Sequence, residues 1–325
     1  MPTQPAPDSR AARTGNVDAA IFGLIVADLI AAPFDLRQPP PPGGLSLVDS
    51  ITLTTGGNVC NTGIAMGKLG LRVAAAGLVG KDILGSAVRE KLELEGLDTS
   101  AVFESDQAQT SATVVAVEPG GERVFYHTPG ATPLIDKALF RRCLPLFQWC
   151  SFVQVGYFGL LPGITADLPE LFAELRAMAP RTRLALDTVN PPADARLLWP
   201  ILPHLDLFAP SRTEATALTG ETEPAKMVAA FREHMGKGLI GIKLDDEGAY
   251  LDDGTTRVRV PAAKIKVVDT TGAGDTWFGA LMTALMKGMP LEPAGRFANR
   301  AAADCCTALG ASTGVRTFED TLARM

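Results

Sequence analysis

The chain lacks any apolar stretch long enough to span a bilayer as a helix, so an integral helical membrane protein is not expected. Its five cysteines, Cys60, Cys143, Cys150, Cys305 and Cys306, are odd in number and have no C-x-x-C spacing. That excludes a zinc cluster or a disulfide framework as the organising device and points to reduced thiols in a cytoplasmic protein. Histidine is scarce: His127, His204 and His234 stand far apart and make no metal-ligand cluster. Positive charge is not in excess either. A formal net charge of -6 offers no field to attract nucleic acid or an anionic membrane, although a local site can still be positive. Two nucleotide-binding loops are missing. Gly67-Lys68, Gly80-Lys81 and Gly236-Lys237 lack both the spacing and the Ser/Thr of a G-x-x-x-x-G-K-S/T loop. No clear G-x-G-x-x-G follows the first strand, which counts against a Rossmann-type dehydrogenase. Residues 1–16 are polar and Pro/Ala-rich without the apolar centre of a secretion signal, and read as a loose tail.

What is present is a core. The 325 residues are 46% hydrophobic and 20% charged, enough for one large α/β domain or two ordinary ones. "AAIFGLIVAD" (19–28) predicts a buried strand. The prolines of "PFDLRQPPPPGGLSLVDS" forbid a helix. "ITLTTGGN" alternates until Gly56-Gly57, and Asn58 is placed to cap a helix ending at Gly70. "RVAAAGLVG" predicts another buried strand, and "DILGSAVREKLELEG" a helix with Asp82 at its start and Gly96 at its end. Two strands without an adjoining helix meet at Pro119-Gly120-Gly121 and, with 34–55, suggest a small separate sheet. From residue 151, strands "SFVQVG", "RLALD", "LDLFAP", "LIGIKL" and "IKVVD" alternate with helical runs at 167–178, 213–218 and 223–236. Long helices at 273–287 and roughly 292–309 close the chain. Continuous apolar strands separated by helices imply a parallel sheet covered on both faces.

The most informative stretch is "KVVDTTGAGDTWFGALMTALMKG", 266–288. Asp269 is expected at the carboxyl end of a strand, where ligands of such sheets bind. Gly272, Ala273 and Gly274 add little bulk at a helix start, so unpaired amides there can approach an anion. Trp277, Phe278, Leu281, Met282, Leu285 and Met286 form the apolar stripe that anchors this helix. Asp275 would repel a phosphate, but suits a base that takes a proton from an incoming hydroxyl during phosphoryl transfer. Spacing alone leaves a second reading open, in which Asp275 and Thr270 merely cap the helix.

"DTTGAGDTWFGALMTALMKG" closely resembles the C-terminal signature of the PfkB, or ribokinase-like, carbohydrate kinases, and "GGNVCNTGIAMGKLG" (56–70) resembles their N-terminal signature. The order of elements agrees over 18–318. The resemblance implies a doubly wound, mostly parallel α/β sheet flanked by helices over 17–325, with a small β-sheet lid formed by about 34–55 and 111–128. It implies transfer of the ATP γ-phosphoryl group to a sugar hydroxymethyl group in a cytoplasmic enzyme. Asp275 matches the catalytic base and Gly272, Ala273 and Gly274 the anion hole. Asp28 matches the aspartate that holds sugar hydroxyls, Gly56 and Gly57 the glycines that admit the sugar, and Asn58 and Asn61 polar positions beside them. On the nucleotide side, Ser211 stands where the family has asparagine, Glu214 matches the organiser of water-bound Mg²⁺, and Gly248 is retained. Asp245 stands where glycine is common. Lys243, isolated in sequence, and Asn299 on the last helix are placed on the same side. Asp269 and Thr271 match part of a monovalent-cation (K⁺) site. Lids of this family often pair between subunits, which implies a homodimer.

Other residues read more plainly. Arg123 with Glu122 sits at a hairpin tip and is expected on the solvated surface. His127 either touches substrate or serves the lid, and the aromatics of "GYFG" (156–159) either wall the sugar pocket or pack in the core. Cys305 and Cys306 read as small buried hydrophobes. Val26 stands where ribokinases carry asparagine, no basic cluster marks a phosphosugar pocket, and Arg196 is far from the 187–192 strand end. A neutral sugar is therefore favoured. A nucleoside kinase of the same fold and a non-catalytic sugar- or nucleotide-binding protein are the alternatives.

Overall fold

The computed structural model describes residues 17–35, 37, 38, 40–118, 122–191 and 194–325. The expected tail at 1–16 and the turn at 119–121 lie outside the described residues. In chain order come β1 (Ala19–Gly23), β2 (Val26–Ala32), β3 (Ser50–Gly56), α1 (Asn58–Lys68), β4 (Val73–Gly80), α2 (Ile83–Leu94) and β5 (Asp98–Ser105). There follow β6 (Ala112–Val117), β7 (Arg123–Thr128), α3 (Lys137–Phe147), β8 (Phe152–Val155), α4 (Leu168–Met178), β9 (Arg183–Leu186) and β10 (Leu207–Phe208). The rest comprises α5 (Arg212–Thr219), α6 (Pro224–Met235), β11 (Leu239–Lys243), β12 (Ala249–Asp252), β13 (Arg257–Val260), α7 (Ala273–Met286), α8 (Leu291–Cys305) and α9 (Phe318–Ala323).

Nine strands form the main sheet in the order β13-β12-β11-β10-β9-β8-β1-β4-β5. Pairing is parallel from β11 to β5, and β12 and β13 add an antiparallel edge. Successive side chains of a strand point to opposite faces, and β1 shows this directly. Ala20 and Phe22 enter one core with Phe140, Phe147 and Phe172, whereas Ala19 and Ile21 enter the other with Val59, Phe278 and Phe297. Both faces are covered, so the strands read as unbroken apolar runs.

A second sheet has the order β3-β2-β6-β7. The apolar run 19–28 is therefore two strands in two sheets, not one strand. The break falls at Leu24, whose N–H donates to Asn58 Oδ1 (2.9 Å) instead of to a neighbouring strand. Hydropathy cannot register which sheet a strand joins, so Asp28 lies within lid strand β2 and does not end the first strand. The lid draws on 26–32, while 40–49 carries no strand. The strand expected at 265–269 is not formed. Val267 and Val268 are exposed, and the N–H groups of Val268 and Asp269 donate to Cys306 O (2.8 and 3.2 Å), because β13 already ends the sheet. Strands β5, β12 and β13 and helices α3 and α9 were not anticipated from the sequence.

Candidate active site

Helix α7 starts where the sequence places it. Gly272 precedes it with φ 74°, a left-handed conformation that favours glycine, and a Cβ there would lie 2.5 Å from Ala311 O. No side chain caps this helix, so Asp275 and Thr270 are not capping groups. Of the three small residues, Ala273 donates its N–H to Thr270 O (3.2 Å), and the first helical bond runs from Thr276 N–H to Gly272 O (2.8 Å). The early amides of a helix otherwise lack intrahelical partners and carry its positive dipole end.

Asp275, third in α7, is buried, and its Oδ2 accepts from Asn61 Nδ2 (2.9 Å) and from the Tyr157 hydroxyl (2.7 Å). Asn61 comes from α1 and Tyr157 from the turn after β8, so three elements converge on one carboxylate. Burial pushes the Asp275 carboxyl above its ordinary range, against the lowering influence of Asn61, Tyr157 and Lys243. Tyr157 sits at φ 58°, uncommon for a non-glycine residue and typical of a side chain aimed by function. The "GYFG" aromatics therefore divide: Tyr157 serves the site, and Phe158 is core.

A cluster of charge adjoins this carboxylate. Lys243, ending β11, donates from Nζ to Asp187 Oδ1 (2.9 Å), and both are largely buried. A Cβ on Gly274 would lie 3.6 Å from Lys243 Nζ, so the ammonium rests against the helix start. Burial works against its charge, but Asp187 and Glu214 more than compensate and hold Lys243 above its ordinary range. Burial pushes Asp187 up to about 7, with Lys243 opposing and the Asp275 and Glu214 carboxylates adding to the rise. Sequence reading missed Asp187; its position after β9, in the middle of a parallel sheet, was the available signal. Glu214 and Ser211 form a capping box on α5: Ser211 N–H donates to Glu214 Oε2 (2.7 Å), and Glu214 N–H to Ser211 Oγ (3.3 Å). Thr188 Oγ1 also donates to Glu214 Oε2 (2.8 Å).

In the lid sheet, Asp28 is partly buried. Burial raises its carboxyl, while the Thr113 hydroxyl and His127 oppose. Thr113 Oγ1 and His127 Nδ1 are 3.1 Å apart, so His127 serves the lid strand pair beside Asp28. Gly56 lies against Asp28: an added Cβ would come within 2.1 Å of Oδ2. Gly57 takes φ 82°, with Leu24 O 2.5 Å from an ideal Cβ. Asn58 departs from expectation. It is fully buried inside α1, and its amide is spent on the Leu24 N–H and the Phe22 carbonyl (2.9 and 3.2 Å), where it fixes the crossing between the two sheets.

Residues further from Asp275 also hold internal bonds. Asn299 accepts from Trp277 Nε1 (2.7 Å) and donates to Val260 O (3.0 Å) and Pro261 O (2.9 Å). Gly248 takes φ 98°, and Asp245 stands at φ 53°. The largest departure is Arg123, which is not solvated surface. Its guanidinium pairs with Asp269 Oδ1 (2.8 Å) and donates to Thr271 Oγ1, with only 17% of the side chain exposed. The hairpin tip was read as surface because the sequence does not show what the lid folds onto. Cys305 is buried with Sγ 3.1 Å from Ala311 O, beneath the same loop.

A model of the pfkB family carbohydrate kinases matches residues 17–317 of the chain. The chain is 26% identical over 309 residues to a ribokinase of Haemophilus influenzae, covering 93% of this chain and 96% of that one. It is 27% identical over 321 residues to a 2-dehydro-3-deoxygluconokinase of Bacillus subtilis, covering 94% of each. The structure of Arabidopsis thaliana ribokinase complexed with ribose and ATP superposes with a TM-score of 0.79 at 23% identity, over 95% of this chain and 98% of that one.

Proposed function

The chain belongs to the pfkB family of carbohydrate kinases, and on that premise we propose that it transfers the γ-phosphoryl group of ATP to the hydroxymethyl group of a neutral sugar. One observation carries this reading: a buried aspartate in the first turn of α7, clamped by Asn61 and Tyr157 and neighboured by the Lys243–Asp187 pair. Asp275 is the general base. The bonds from Asn61 and Tyr157 both fall on Oδ2, and Oδ1 is the oxygen that meets the acceptor hydroxyl. A carboxylate whose pKa burial raises is a stronger base than an ordinary one. As the proton leaves the hydroxyl, its oxygen attacks the γ-phosphorus and the bond to the ADP oxygen breaks. The Gly272 and Gly274 amides and the Lys243 ammonium face the charge that spreads over the phosphoryl oxygens, while Ala273, whose N–H goes to Thr270 O, holds the turn between them. Asp187 holds Lys243 in place and keeps it protonated.

Asp28 takes the sugar hydroxyls, for which a carboxylate is a good double acceptor. Gly56 leaves room for that carboxylate. Val26, without a polar atom, removes one sugar contact expected of a ribokinase. Glu214 fits a magnesium ion held through water: it is a hard oxygen donor fixed by Ser211 and Thr188, with both described bonds on Oε2. Bound there, the ion would supply positive charge against the phosphates. Ser211 caps α5 and serves the phosphates through Glu214. Gly248, Lys243 and Asn299 shape the nucleotide side, Asn299 by holding Trp277 and the 260–261 backbone. The same reading places the enzyme in the cytoplasm as a homodimer.

The test is ADP release by the purified protein with Mg-ATP and a panel of free sugars and nucleosides. Turnover on a free sugar is expected, and Asp275→Asn should lower kcat by roughly 10²–10⁴-fold with folding intact, the range of a general base. Turnover confined to nucleosides selects a nucleoside kinase. Binding without any turnover selects a non-catalytic protein, and retained turnover in Asp275→Asn removes the general-base role.

A further inference from the structure

The loop that feeds α7 carries a buried negative charge, and a residue of the lid neutralises it. Asp269 is 4% exposed, and both of its oxygens are taken. Oδ1 accepts from Thr271 N–H (2.7 Å) and from Arg123 (2.8 Å), and Oδ2 from Gly310 N–H (2.7 Å). The Thr271 hydroxyl accepts from the same guanidinium. These are the two residues that the family resemblance assigns to a potassium ion, and they do not fit one here. Every side-chain oxygen they offer already faces a donor, and a metal ion there would meet a fixed positive charge. Arg123 opens β7, paired with Val117 of β6, and lies on the face of the lid sheet that carries Asp28 and Thr113. Its Nε is buried and has no partner, so the side chain sits there without satisfying all its donors.

We propose that Arg123 replaces the monovalent metal ion of this site, so that the loop leading into the anion hole is complete only when the lid is closed. A guanidinium carries one charge, as the ion does, but is tethered to the lid. Its planar donors span the Asp269 carboxylate and the Thr271 hydroxyl together. Thr271 immediately precedes Gly272, so the position of the lid is transmitted to the first amide of the helix start. Arg123 is thus a positioning residue, acting through Asp269 and Thr271.

The inference rests on the kinase reading, and the experiment separates the two. Turnover on the best sugar of the panel is measured in tetramethylammonium, sodium and potassium chloride at constant ionic strength. Wild-type kcat should agree within about twofold in all three salts. Arg123→Ala should lose at least tenfold in kcat in tetramethylammonium and recover part of it in potassium chloride or guanidinium chloride at low millimolar concentration. Arg123→Lys should keep most of the activity without added ion. Potassium activation of the wild type by tenfold or more overturns the proposal. So does an unchanged Arg123→Ala, or a loss that no cation restores, which would make Arg123 a strut only. If no sugar is turned over, the kinase reading fails on its own, and thermal melting in the same salts still decides. A potassium-specific rise in Tm in Arg123→Ala but not in wild type supports the replacement; a rise in wild type, or in neither, overturns it.

Discussion

A single carboxylate illustrates how burial and hydrogen bonding set reactivity. Asp275 loses water on folding, which disfavours its charged form, while Asn61 and Tyr157 return part of that stabilisation. Burial prevails, and the group is raised from its ordinary 3.8. Because the base must be ionised to act, kcat/KM should fall as pH drops through the raised value. The acid limb should therefore lie above the ordinary aspartate range, and Asp275→Asn should abolish that limb along with most of the rate. A limb centred at or below 3.8 would show that the carboxylate is not held as described. The sequence marked Asp275 as either a base or a cap, and the structure removes the cap: no side chain caps α7, and the carboxylate is buried against Asn61 and Tyr157. Tyr157 was half legible: its stretch was noticed, but only the left-handed backbone after β8 aims the hydroxyl at Asp275.

At the level of elements, helix starts organise the site. α5 opens with a capping box in which the Ser211 hydroxyl and the Glu214 carboxylate satisfy each other's backbone N–H groups, so serine in place of asparagine leaves Glu214 well fixed. α7 opens without a side-chain cap, and of its first amides Ala273 donates to Thr270 O. Gly272 is the residue that permits this. Alanine there would be strained by its left-handed φ and would drive a methyl group to 2.5 Å from the Ala311 carbonyl, which is backbone and cannot swing away. Gly272→Ala should cost on the order of 10²-fold in kcat, comparable to losing one anion-hole donor, while the KM for the sugar changes little. Steady-state kinetics with both substrates varied checks this. A variant with unchanged kcat would place the phosphoryl group elsewhere. Lengths and types of α1, α2, α4, α6 and α7 followed from their apolar periodicity. β12 and β13 did not, because a short antiparallel edge pair has no distinctive period next to the parallel strands it follows.

Over the whole molecule, the lid has two contrasting faces. Asp28, Thr113 and Arg123 share one. The other, by register, carries Leu29, Ile51, Leu53, Val114 and Tyr126, of which the last four are exposed. A contiguous apolar patch on a thin sheet is what a subunit contact would cover. Sedimentation at micromolar concentration should show a homodimer, and Leu53→Lys with Tyr126→Lys should convert it to a monomer that retains its melting temperature within a few degrees. A wild-type monomer at that concentration would rule the contact out.

By itself the sequence determined the parallel α/β body and the helix start at 272–275 with its aspartate, because these depend on local spacing: apolar period, small residues, a carboxylate three positions into a helix. The tertiary structure alone decided which sheet Asp28 joins, that Asn58 is a brace and not a ligand, that Asp187 and Lys243 meet, and that Arg123 reaches Asp269. Each of these joins residues at least 26 positions apart. Such contacts are settled by how strands pair and how the lid folds over the sheet, which no local pattern encodes.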